Sequence, residues 1–132
     1  MAEKEIRAKL QRAKLVVLEA LAKGNLEPVF ILVQNGFPVH TPLLDCGVTL
    51  MMHAAAVCTG EQFAQLLQLG TDLNAQDRAG RAPIHFASCV GNIGTYKVLV
   101  EQETVDIDAV TQGGVTPLML AVEGGHIKLV VA

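Results

Sequence analysis

Apolar residues along this chain gather in short clusters, separated at near-regular intervals by polar turns built around Gly. In GRAPIHFASCVGN, residues 80 to 92, Ile84 and Ala87 recur at helical spacing between a Pro and a Gly. The arrangement returns in GGVTPLMLAVEGGH, residues 113 to 126, with Leu118 and Ala121. Pro83 and Pro117 stand where a helix accepts Pro, in its first turn, whose N–H groups have no intrahelical acceptor. Gly91 and Gly125 stand where such a helix closes in the left-handed conformation. A second apolar cluster follows each time: Phe63, Leu66 and Leu67, then Val98 and Leu99, then Ile127 and Val130. The pattern predicts pairs of short helices. Before Gly24 there is neither Pro nor Gly, and Ile6, Leu10, Ala13, Val17 and Leu21 form one helical stripe. This predicts a single long helix that takes the place of an opening turn and caps the array with its charged face.

Aligned on their first Gly, the units beginning at Gly47, Gly80 and Gly114 are 33 and 34 residues apart. A second echo lies between them, LLQLGTDLNAQD at 66 to 77 and VLVEQETVDIDAV at 98 to 110. A weaker copy, residues 18 to 39, precedes them with Gly24 and Gly36 but no opening turn. A two-helix unit cannot bury its apolar face alone, and stacked copies build a continuous core. Small residues at Ala54, Ala55, Ala87 and Ala121 let neighbouring helices approach closely.

These units resemble the ankyrin repeat, whose pattern runs Gly-x-Thr-Pro-Leu-His, a short helix ending at Gly, a second helix, and Gly-Ala-Asp-Val-Asn-Ala. The resemblance covers residues 15 to 132. It implies an all-α solenoid of stacked helix-turn-helix units with β-turn or hairpin fingers. The whole chain is then one domain: an N-terminal capping helix and degenerate repeat at 1–43, repeats at 44–76 and 77–110, and a truncated repeat at 111–132. It further implies that a partner protein binds the turn tips and the exposed side of the first helices. On this chain that surface comprises Leu43, Asp45 and Val48 with Ala56 and Val57, then Gln76, Arg78 and Arg81 with Cys89 and Val90, and finally Gln112, Val115 and Glu123. Arg78 and Arg81 are the strongest contact candidates, since Arg is enriched among binding hot spots; the competing reading is that both solvate a turn.

The chain departs from the pattern at several places. No unit keeps both the Thr and the His that tie turn to helix: Thr49 and Thr116 accompany Met52 and Met119, while His85 accompanies Ala82. Each loss weakens a turn by about 1 kcal/mol, the net value of one hydrogen bond. Cys58 occupies a helix-closing position where left-handed geometry costs roughly 1–2 kcal/mol for a side chain. The helix is therefore expected to run on to Gly60 and shorten its partner. The unit from Asp77 carries one extra residue, expected within Gln102 to Thr104. Ala132 falls inside the last second helix, whose LVVA ending is not the polar face of a terminal repeat. Either the chain belongs to a longer protein, with further repeats on this edge, or another chain covers it.

Composition narrows the remaining classes. About half of the 132 residues are apolar, which suits one buried core and excludes a disordered chain. No apolar run approaches the roughly eighteen residues of a membrane span, and the N-terminus lacks a signal-peptide core. The three cysteines, Cys46, Cys58 and Cys89, lack metal or redox spacing and read as free thiols of a reducing compartment, cytoplasmic or nuclear. Net charge is −3, with a balance of +3 in residues 1–14 and −6 in the rest. An acidic body argues against a nucleic-acid backbone as partner. The basic head reads as a solvated helix face, with a docking helix or contact with an acidic partner or membrane surface as alternatives.

Catalytic constellations are thin. Ser88 has no nucleophile elbow, and His85 has no acid placed to orient it. His85 and Cys89 stand at i and i+4 as a thiol–imidazole pair would, but the repeat accounts for His85 as its motif His. Cys46, His53 and Cys58 have no ligand spacing. Asp106 and Asp108 alternate along a finger and match the family's Asp and Asn positions. GNIG follows a helix rather than a strand, and Tyr96 is the only large polar aromatic. The expected protein is a non-enzymatic protein-interaction module without cofactor or metal. The alternative is a targeting or regulatory segment of a longer enzyme, channel or scaffold.

Overall fold

The computed structural model describes residues 2–39, 42–43 and 46–126. Seven α-helices follow in order among them: α1 (Ala2–Lys23), α2 (Glu27–Gln34), α3 (Leu50–Val57), α4 (Gly60–Leu66), α5 (Pro83–Val90), α6 (Ile93–Val100) and α7 (Pro117–Glu123). Among the described residues no strand forms. First helices pack on first helices, α1 on α3, α3 on α5 and α5 on α7, while α4 packs on α6. α2 packs against α1, and α5 against α6, within their own units. One core cluster runs from α1 through α6: Leu21, Leu50, Ala54, Phe63, Leu66, Ala87 and Leu99 are all fully buried. The long N-terminal helix is present as predicted, yet only its last turns, from Val17 onward, are buried; Ile6 remains 63% exposed.

The divided Thr/His motif divides its hydrogen bonds accordingly. Thr49 and Thr116 cap α3 and α7 with their hydroxyls, which accept from Met52 N–H at 3.4 Å and Met119 N–H at 3.2 Å. Ala82 has no hydroxyl, and there the His85 ring does the capping, Nδ1 accepting the Ala82 N–H at 2.9 Å. With Nδ1 an acceptor, the proton of the neutral ring sits on Nε2, which donates to the carbonyls of Ala109 (2.9 Å) and Val115 (3.1 Å). His85 thus ties α5 to the following finger. Pro83 and Pro117 open their helices as predicted, and Gly91 closes α5 with φ +74°.

The expectation at Cys58 is corrected. α3 stops at Val57, and Cys58 leaves it in an extended conformation (φ −90°, ψ 155°), which avoids the left-handed cost without lengthening the helix. Thr59 then caps α4, its hydroxyl accepting the Gln62 N–H while Gln62 Oε1 accepts the Thr59 N–H. Gly60 is therefore the first residue of α4 rather than a terminator. Its role is close approach: a Cβ there would fall 2.8 Å from the carbonyl carbon of Gly94 in α6. At the other end, α7 ends at Glu123 and Gly125 takes φ +71°. The expected second helix after it, with Ile127, Val130 and the LVVA ending, lies outside the described residues.

Polar side chains lock neighbouring units by reaching carbonyls one repeat back. Gln62 Nε2 donates to the Gly24 carbonyl at 2.7 Å, Asn92 Nδ2 to those of Cys58 (2.6 Å) and Ala55 (3.0 Å), and the His126 ring meets that of Cys89 at 2.9 Å. Each satisfies a carbonyl left over at the end of a first helix.

Candidate partner-binding surface

The fingers between second and first helices repeat one backbone closure. The N–H of Leu43 donates to the carbonyl of Val48, that of Asp77 to Arg81 and that of Thr111 to Val115, at 2.7, 3.0 and 3.0 Å. Successive tips are joined directly: Arg78 N–H donates to the Cys46 carbonyl at 3.0 Å and Gln112 N–H to the Ala79 carbonyl at 2.9 Å. The tips therefore form one continuous backbone-linked row rather than independent loops.

Asp77 organises the middle finger. Its carboxylate is buried, and Oδ1 accepts the N–H groups of Ala79 (3.0 Å) and Arg81 (2.8 Å). Oδ2 accepts Arg81 Nε at 2.7 Å and pairs with Nη2 at 2.7 Å. The guanidinium also lies 4.8 Å from the ring centre of Phe86. Arg81 is consequently half-buried and held on two sides, with its remaining donors available. Beside it runs a groove of about 330 Å³ lined by Arg81, Thr111, Gln112, Val115 and Leu120 among others.

The expected surface residues separate into groups. Arg78, Gln76, Cys89, Gln112 and Glu123 are exposed, as are Val57 (46%) and Val90 (50%). Ala56 and Val115 are half-buried. Leu43 and Val48 are corrected: both are buried, at 5% and 4% exposure, because the finger folds back on the stack at its base and Leu43 joins the core. Gln76 is occupied, its Nε2 donating to the Gly80 carbonyl of its own finger at 3.0 Å and to the Val110 carbonyl of the next at 3.4 Å. Asp45 lies outside the described residues. Phe86 and Leu120 belong to the same surface and were detectable in the sequence, since with His53 they occupy one register position at the repeat spacing.

Burial pushes the His53 imidazole down, favouring its neutral form, and pushes the Cys58 thiol up to about 11. Both ring nitrogens of His85 are engaged by backbone, so neither serves Cys89 or Ser88 as a base. Among the described residues no helix is long and apolar enough to cross a membrane.

A row of linked fingers over stacked helix pairs defines a repeat protein in which equivalent positions of successive units lie side by side. The chain belongs to the ankyrin-repeat family, a family of protein–protein interaction modules: the family described as "Ankyrin repeats (3 copies)" matches residues 51–132. It is similar to neurogenic locus notch homolog protein 2 of Homo sapiens, 33% identical over 103 residues, which are 75% of this chain and 4% of that protein. The notch homolog protein 1 of Danio rerio is 32% identical over 103 residues, covering 78% and 4%, and that of Xenopus laevis 32% over 100 residues, covering 76% and 4%. The chain spans about 4% of the length of these relatives.

Proposed function

We propose that this chain is a non-enzymatic module that binds another protein through its fingertips and the adjoining side of α3, α5 and α7. The observation that carries this reading is Arg81, fixed by Asp77 and Phe86 beside the groove that ends at Leu120. A pre-set guanidinium over a semi-apolar groove loses little side-chain entropy when it engages a carboxylate or carbonyl. The linked tips extend that economy to the backbone. Arg78, Val57 and Val90 complete the contact surface, with Cys89, Gln112 and Glu123 along it. The test is affinity capture on immobilised chain, comparing the unaltered protein with Arg78→Glu/Val90→Glu. Both positions are exposed and outside the core, so a specific partner is lost from the variant while its melting temperature stays within a degree or so. Equal recovery of every captured protein by both forms would refute the assignment.

A second reading, that these repeats are a targeting or regulatory segment of a larger protein, is favoured by the small share of the notch relatives that the chain spans. The two readings are compatible in mechanism and differ in context. The mass of the endogenous protein separates them, because a species near 14.0 kDa removes the longer chain.

A further inference from the structure

The first three turns of α1 are only partly covered by the core that its last turns enter: Leu10 and Ala13 pack against its edge, and Ile6 stands clear of it. Val17 and Leu21 are fully buried, whereas Ile6 is 63% exposed and Leu10 and Ala13 are half-buried. Ile6, Leu10 and Ala13 fall on one helical face. Together with Leu32, Phe37 and Pro38 from the end of α2 and the turn after it, they line a groove of about 450 Å³. That size lies within the range of roughly 300–1,000 Å³ typical of binding clefts.

Charge around this groove is one-sided. Lys9 lines the groove itself, with Arg12 farther round the same flank of the helix, while Arg7 and Lys14, seven residues apart, follow the opposite flank of the apolar stripe. Glu3 and Glu5 are the only acids in this part of α1, and the facing wall, Leu32 with residues 35–38, carries no charge at all. Among the described residues none of the five basic side chains of residues 2–14 enters an ion pair. The result is an apolar channel with a net basic rim, five basic residues against two acidic ones, on a chain whose other 118 residues have a balance of −6.

We propose that this groove binds an amphipathic, acidic segment of a partner protein, its apolar side chains in the channel and its carboxylates against Arg7, Lys9, Arg12 and Lys14. The recessed position of Leu10, Ala13 and Phe37 favours a segment with projecting side chains over a bilayer, which needs protruding apolar groups. This surface is distinct from the fingertips and does not depend on their role.

Fluorescence anisotropy on the full chain tests it. The probes are a labelled synthetic helix of about 15 residues with Leu at i, i+3, i+4 and i+7 spacing and Glu elsewhere, and its counterpart with Lys in place of Glu. The acidic probe binds with micromolar Kd at low salt, and the basic one does not. Lys9→Glu/Arg12→Glu and, separately, Ile6→Asp each weaken binding about tenfold or more without shifting the melting curve, while Arg78→Glu leaves it unchanged. Absence of binding, or equal binding of both probes or of these variants, overturns the proposal. So does preferential binding to phosphatidylserine vesicles that Lys9→Glu/Arg12→Glu abolishes, which would assign the face to membranes. A dimer dispersed by Ile6→Asp would assign it to a second copy.

Discussion

Asp77 and Arg81 meet at 2.7 Å through two separate atoms of the guanidinium, with the carboxylate buried and the arginine half open to solvent. The pair also carries the finger, because the same carboxylate accepts two backbone N–H groups. Arg81 is thus no independent surface residue. Its reversal in Arg81→Glu places a second carboxylate against a buried one, and stability falls by about 1–3 kcal/mol. Asp77→Ala leaves the N–H groups of Ala79 and Arg81 without their acceptor and costs a similar amount. Urea unfolding of both variants beside Arg78→Glu checks this; Arg78→Glu stays within about 0.5 kcal/mol of the unaltered chain.

The missing hydroxyl at Ala82 predicts a gain. Its backbone is already extended (φ −97°, ψ 169°), the geometry of a helix N-cap, and close to that of Thr49 and Thr116. Ala82→Thr adds the cap that α3 and α7 have, while the His85 bond to the Ala82 N–H persists. The expected increase is about 1 kcal/mol in thermal or urea unfolding. His85→Ala loses about 2–4 kcal/mol, since it opens a buried site and strips three backbone groups of their partner. Faster amide exchange at Ala82 is the local signature that distinguishes it from general loosening.

Much of this architecture is legible in the chain because its signals are local. Pro83, Gly91 and Pro117 act within one turn of backbone, and they mark helix starts and stops correctly. The repeat spacing then implies the stack, since equivalent apolar faces must cover one another. What escapes a linear reading depends on atoms a repeat away. Gly60 reads as a terminator from its neighbours, but its reason is Gly94, 34 residues on. Leu43 and Val48 sit at a turn, where the repeat pattern places exposed tip residues, and only the finger's return onto the stack buries them. Arg81 reads as a free contact until Asp77, also a turn residue in sequence, proves to be buried beneath it.

Close packing at Gly60 sets a third expectation. On helix propensity alone, Gly60→Ala would stabilise α4 by up to about 1 kcal/mol. The added methyl instead meets the backbone of Gly94 at 2.8 Å, and backbone cannot rotate aside as a side chain can. Separation of α4 from α6 follows, with a net loss of about 1–3 kcal/mol. A substitution that raised the unfolding midpoint would show that these helices have room between them.

Burial of His53 and Cys58 gives the stability curve two slopes of opposite sign. The His53 imidazole titrates below its ordinary 6.5 when folded, so the unfolded chain binds more protons in that window. Its contribution is complete above about pH 6.5 and is lost as pH falls toward the folded value. The Cys58 thiol behaves in reverse: 9.0 ordinarily and about 11 when folded, it releases its proton more readily from the unfolded chain. Stability therefore declines between about pH 9 and pH 11. Midpoints of urea unfolding across pH 5 to 11 should show both slopes, with His53→Gln flattening the acidic one and Cys58→Ala the basic one. Thiol labelling provides an independent check: exposed Cys46 and Cys89 react with a maleimide in the native protein, whereas buried Cys58 reacts only as the stack opens. Rapid native labelling of all three thiols would mean that the α3–α4 corner opens well before the rest.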